Sequence, residues 1–314
     1  MPARNEIQRE IIEAKNAAQD NVRRKYLKDL ADYTKRDCIL YATAFSTNKG
    51  FAIPAHLISI NIQDIQGFMA ALYDLKGDKL DLILHSPGGS LEAAEQIVNY
   101  LRAKYKHIRA IIPQNAMSAA TIIACGCDEI VLGKHSAIGP IDPQLTYPTD
   151  IGPFTAPAQS ILEEFEQAKR EITANPATAS LWINKMQKLP FGILDICKKT
   201  TTLSITIVKK WLEDYMFNGD ADKVKKADEI STWLGTASNH NTHGKPINIT
   251  EARSRGLKVS ELEQDHQFQE LVLSVFHAAV ITLEITNTIK FTENNKGKGL
   301  YIQIQPEQLF AGKK

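Results

Sequence analysis

No stretch of this chain reaches the eighteen or so uninterrupted apolar residues that a membrane-spanning helix requires. The richest segment, Leu271 to Ile285, is broken by Ser274, His277 and Glu284 and reads as a buried helix. The N-terminus is charged from Arg4 onward and lacks the apolar core of a secretory signal. Together these absences lead to the expectation of a cytoplasmic protein with no membrane span. Cysteine is scarce: Cys38, Cys125, Cys127 and Cys197 are the four in the chain. In a reducing compartment they read as thiols rather than a disulfide framework. Cys125-Gly-Cys127 lacks both the two-residue spacing and the second pair of a zinc site, so no metal is expected there. A surplus of either charge is missing too, with 37 Lys and Arg against 36 Asp and Glu. That balance gives no electrostatic case for a nucleic-acid partner. Internal repeats and low-complexity tracts are also absent, which excludes solenoids and disordered arrays.

What is present is an ordinary globular composition, 43 % apolar over 314 residues, enough for one large domain or two small ones. Residues 5–33 carry an apolar stripe, Ile7, Ile11, Ala14, Ala18, Val22, Tyr26 and Leu30, at three- and four-residue spacing. The stripe predicts a helix that packs on its own protein, a second subunit, or a membrane surface. From about 38 to 145, short apolar runs alternate with helical patterns. Strands are predicted at 38–45, 80–86, 107–113 and 128–133, with helices at 62–75, 90–105 and after Ser118. Such alternation signals right-handed βαβ units and a parallel sheet. The Pro- and Gly-rich text after 145 reads as a loop, 158 to about 235 as mostly helical, and 235–247 as turn-rich. A short helix, a long one from about 262 to 286 and a final strand in KGLYIQIQ complete the pattern. The expected organisation is an N-terminal helical extension at 1–36, a catalytic domain at 37–260 with a helical insertion at about 158–235, and a C-terminal helix and tail at 261–314.

Two loops stand out for chemistry. Ser86-Pro87-Gly88-Gly89-Ser90 lies where a strand ends and a helix begins; paired glycines let backbone approach a ligand, and N–H groups there favour an anion. It also reads as a tight turn with Ser90 as helix cap. One βαβ unit later, Pro113-Gln114-Asn115-Ala116-Met117-Ser118-Ala119-Ala120-Thr121 makes the same transition. Neighbouring parallel strands would present both loops at one sheet edge, where ligands bind in open α/β folds. Ser118 among small residues fits a nucleophile elbow, although the G-x-S-x-G pattern is missing; it fits a helix N-cap equally well.

The ordered blocks DLILHSPGGSLEAAEQI, IIPQNAMSAATIIACGCDEIVLGKHSAIGPIDPQL and THGKPINITEARSRGLKV resemble the serine dehydrogenase proteinase family. That family belongs to the Clp protease/crotonase superfamily and is similar to signal peptide peptidase A; the resemblance spans roughly residues 38–260. It implies an α/β Clp protease/crotonase-like fold of repeated βαβ units with added C-terminal helices, and a serine peptidase that needs no cofactor. It places the nucleophile at Ser118 and the oxyanion-hole donors on the backbone of Gly88, Gly89 and Ala119, with Ala120 standing where many relatives have Gly. It also implies a peptide or protein substrate and a homo-oligomer.

Two bases stay open. The Clp subunit's His falls near Ile141 and Asp142 here, so that triad layout is not reproduced, and His135 reads as a turn residue. A Ser–Lys dyad, as in the peptidase A branch, points to Lys169, 51 residues after Ser118. On a helical reading Lys169 joins the stripe Leu162–Phe165–Lys169–Ile172, where burial would bring an amine from about 10.4 toward 7–8. Against that stand Glu166 one turn earlier and the option of a side chain that snorkels to water. His243, in the TH–PI block, is the other candidate, with a loop-holding hydrogen bond as its structural alternative. Asp142 could cap a turn or orient a base. Two other functions share the fold: acyl-CoA chemistry of the crotonase kind, and a catalytically silent partner-binding scaffold.

Overall fold

The computed structural model describes residue 7, residues 18–149 and residues 152–304. Helix α1 (Ala18–Thr34) leads into strand β1 (Asp37–Thr43). Helix α2 (Asp64–Leu72), strand β2 (Lys79–His85) and helix α3 (Leu91–Arg102) follow. Strand β3 (His107–Ile112), the two-residue strand β4 (Asn115–Ala116), helix α4 (Ala119–Cys125) and strand β5 (Glu129–Leu132) come next. After the short β6 (Ala137–Ile138), strands β7 (Gln144–Thr149) and β8 (Gly152–Pro157) pair antiparallel. Helices α5 (Ala158–Ala174), α6 (Ala179–Met186), α7 (Ile193–Trp211), α8 (Lys223–Gly235) and α9 (Ile249–Ser254) fill the next hundred residues. Strand β9 (Val259–Glu261), helix α10 (His266–Ile285) and the hairpin β10 (Thr288–Asn294) and β11 (Gly299–Gln303) end the described chain.

The main sheet has the order β11-β10-β1-β2-β3-β5-β9. Strands β1, β2, β3, β5 and β9 are parallel, and β10 and β11 add to the β1 edge antiparallel. Both faces are covered, which is why the parallel strands read as near-continuous apolar runs. Side chains alternate between two cores with period two. Ile39, Tyr41, Leu80, Leu82, Leu84, Ala110 and Ile112 pack under α2, α3, α4, α7 and α8. Cys38, Leu40, Ala42, Ile83, Ile111 and Val131 pack under α1 and α10. The mixed α/β, parallel-dominated architecture is the one the strand–helix alternation predicts.

Two readings change. The segment after 145 is the β7–β8 hairpin rather than a loop: tyrosine, phenylalanine and threonine carry the pairing although Pro148 and Pro153 sit opposite each other. Strand β10 was not foreseen because Lys290, Thr292, Glu293 and Asn294, all buried, break the continuous apolar run that marks the other strands. The α1 stripe, over the part described, packs on the protein itself: Val22 joins Ala278 and Ile281 of α10, with Ile7 beside them. Ile11 and Ala14 lie outside the described residues. Helix α10 is long and apolar enough to cross a membrane, and here it is a core helix, with Val272, Val275, Ala279 and Leu283 against the sheet.

Candidate active site

Strands β2 and β3 are neighbours, so the two loops emerge side by side at the C-terminal edge of the sheet. Backbone bonds stitch them together: the Ser86 N–H donates to the Asn115 carbonyl at 3.1 Å, and the Met117 N–H donates to the Ser86 carbonyl at 3.0 Å. The glycines are required by this proximity. Gly88 has φ +98°, and a Cβ there would lie 2.6 Å from the Met117 carbonyl oxygen and 2.7 Å from the Ser118 Cβ. Gly89, at φ +149°, would place a Cβ 2.2 Å from the Ile60 oxygen. Ile60 clamps the loop from the other side: its N–H donates to the Gly88 carbonyl at 2.7 Å and its carbonyl accepts from Ser90 N–H at 2.9 Å. Ser90 caps α3, accepting from the Ala93 N–H at 3.1 Å.

Ser118 sits at φ +49°, ψ −117°, immediately before α4, and makes no side-chain cap hydrogen bond. A β-carbon in the positive-φ region is strained by roughly 1–3 kcal/mol, and such strain concentrates at functional sites. The N-cap alternative therefore fails for the side chain: its backbone carbonyl accepts from Ile122 N–H, while the hydroxyl is half-buried and has no hydrogen-bond partner among the described residues. The small residues after it allow this, since Ala119 and Ala120 are both fully buried against the core. Thr121 braces the elbow, its hydroxyl donating to the Ala116 carbonyl at 2.8 Å and accepting from the Gly139 N–H at 3.0 Å. Among the described residues neither the Gly89 N–H nor the Ala119 N–H has a protein acceptor. The Gly88 N–H does have one, the Ser86 hydroxyl at 3.2 Å. Of the two glycines, the one with a free donor is Gly89.

The candidate bases fall in very different places. Lys169 on α5 is 59 % exposed and ion-paired with Glu166 at 3.0 Å. The buried positions of α5 are Ala158, Ile161 and Ala168, so the expected burial of Lys169 does not occur. The buried face runs through Ile161 and Ala168, which leaves Lys169, one position further on, exposed. His243 is 27 % exposed, and its Nδ1 lies 2.8 Å from Oδ1 of Asp142, which is buried. The other carboxylate oxygen, Oδ2, accepts from the Gln144 side-chain amide at 2.7 Å. Asp142 is held in place because the Ile141 N–H donates to the Leu234 carbonyl and the Ile141 carbonyl accepts from the Ser204 hydroxyl. The loop of His243 is tied to the same block through Ile247, which exchanges backbone hydrogen bonds with Ile138 at 2.8 and 3.1 Å. A cavity of about 240 Å³ opens beside His243. No hydrogen bond joins Ser118 to Lys169 or His243 among the described residues.

His135 bonds through Nε2 to the Pro113 carbonyl at 2.8 Å, a turn-holding role. All four cysteines are free and buried, and burial pushes the thiols of Cys125 and Cys127 up to about 12. Sequence reasoning missed the Ile60 clamp and the Asp142–His243 contact, which joins residues 101 positions apart.

Residues 12–274 match a family model described as ClpP-like SDH-type serine proteinase. The uncharacterized protein MJ0137 of Methanocaldococcus jannaschii is 31 % identical over 210 residues, which is 67 % of this chain and 63 % of that protein. A second protein of that organism, MJ1495, is 29 % identical over 202 residues, 64 % of this chain and 59 % of its own length. The chain thus spans about three fifths of the length of these curated relatives. Two solved structures of the 1510-N membrane-bound stomatin-specific protease are also similar. A serine-to-alanine mutant has TM-score 0.41 at 14 % identity, covering 68 % of this chain and 79 % of that one. A lysine-to-alanine mutant in complex with a substrate peptide has TM-score 0.37 at 16 % identity, covering 73 % and 74 %.

Proposed function

The chain belongs to the family of ClpP-like SDH-type serine proteinases, and on that premise we propose that it is a serine peptidase with Ser118 as its nucleophile. The observation that carries the reading is the strained elbow, in which Ser118 at φ +49° meets Gly88 and keeps its hydroxyl out of any cap. Ser118 Oγ attacks the scissile carbonyl. The Gly89 and Ala119 N–H groups receive the developing oxyanion, while Gly88 supplies the close approach that brings the two loops together. Each such donor is typically worth about 10²–10³ in rate.

His243 is the base this reading favours. Asp142 accepts a hydrogen bond from Nδ1–H and so fixes the tautomer that leaves Nε2 with its lone pair, ready to take the serine proton and return it to the leaving amine. Hydrogen bonds between nucleophile and base often close only with substrate in place. Lys169 has neither the burial nor the freedom from carboxylate that a neutral amine base needs. The reading calls for no cofactor, takes a peptide or protein as substrate, and expects a homo-oligomer.

The test is the rate at which a fluorophosphonate probe modifies the chain. Replacing His243 by alanine is expected to slow labelling by about 10²–10⁴, the usual worth of a general base. Lys169→Ala should stay within about twofold, as for an exposed surface change. The reverse ranking would move the base to Lys169.

A further inference from the structure

The buried ion pair of Lys290 and Asp64 lies outside the reacting groups. Yet both residues are almost completely buried, at 1 % and 2 % side-chain exposure. A lysine inside a strand of the main sheet is costly to desolvate and needs good partners. Here the Lys290 ammonium lies 2.9 Å from the Asp64 carboxylate and donates to the Ser59 carbonyl at 2.8 Å. Asp64 Oδ2 also accepts from the Asn61 N–H at 2.8 Å and from the Tyr41 hydroxyl at 3.0 Å. Ser59 and Asn61 flank Ile60, so the pair grips the chain on either side of the residue that clamps the glycine loop. Ile60 in turn bonds to Gly88 and Ser90, the two neighbours of Gly89.

We infer that Lys290 and Asp64 are positioning residues for the oxyanion hole, acting through Ile60 to hold the Gly89 N–H in place. The inference rests on the serine-peptidase reading above. A donor that matters only when the oxyanion forms affects the bond-making step and leaves ground-state binding alone. Loosening its support therefore has a kinetic signature distinct from general loss of structure.

The experiment measures the saturation kinetics of fluorophosphonate labelling on the full chain, with thermal melting as a check of folding. Lys290→Met removes the charge and keeps the length; Asp64→Asn keeps the shape and covers the case in which Lys290→Met fails to fold. The expected result is a limiting labelling rate lowered by about 10- to 100-fold, the usual effect of removing a supporting partner, with the half-saturating probe concentration within about twofold of wild type. Folded variants labelled at the wild-type limiting rate would overturn the inference and leave the peptidase reading intact. So would a loss seen only as weaker half-saturation. A folded wild type that takes no label would overturn both.

Discussion

At the scale of single residues, Ser118 is where local preference and the fold disagree. A serine at φ +49°, ψ −117° stores strain that glycine would not. Ser118→Gly is accordingly expected to be more stable than Ser118→Ala by roughly 1 kcal/mol, after allowing for the greater unfolded-state entropy of glycine. Urea denaturation of the two variants checks this, and equal stabilities would mean that the elbow is unstrained. The glycine loop and the serine elbow were legible in the sequence because motif and strand–helix transition coincide there. The surroundings of the two candidate bases were not. Lys169 shares a stripe with Leu162 and Phe165, but the face that is buried runs through Ile161 and Ala168, one position away. Asp142 and His243 are brought together by tertiary contacts such as the pairing of Ile138 with Ile247, which leave no trace in local pattern.

At the scale of elements, the strand that escaped the sequence reading organises much of the edge of the sheet. In β10, Lys290 serves the Ile60 clamp, and Glu293 receives Arg23 Nε at 2.7 Å and Arg24 Nε at 2.6 Å from α1. Arg23 also donates to the Thr282 hydroxyl of α10 at 2.8 Å, and its guanidinium lies over the Phe291 ring. Short apolar runs were the signal sought for strands, and β10, where Ile289 and Phe291 alternate with Thr288, Lys290 and Thr292, offers no such run. Arg23 and Glu293 are both fully buried, so removing one partner leaves an uncompensated charge. Glu293→Ala is expected to destabilise the chain by about 3–5 kcal/mol, read by chemical denaturation. A loss below about 1 kcal/mol would show that α1 is held by its apolar stripe alone.

At the scale of the whole molecule, the chain is a parallel-centred sheet between two helical layers, extended by the β7–β8 hairpin and the helices after it. Its apolar runs made the layers readable, because strands buried on both faces carry little polar interruption. The layering matters in one respect: adjacent strands β2 and β3 deliver the glycine loop and the serine elbow to the same edge, where the Ser86 backbone bonds to Asn115 and Met117 tie one to the other and Ile60 clamps the glycine loop. The Asp142 segment and the His243 loop meet as a preformed pair. The most direct measurement of the central claim is intact-mass analysis after fluorophosphonate treatment of the wild type and Ser118→Ala. One adduct on the wild type and none on the folded variant is the expected result. An adduct that persists in Ser118→Ala, or a folded wild type that gains no mass, would contradict the assignment of Ser118 as the nucleophile.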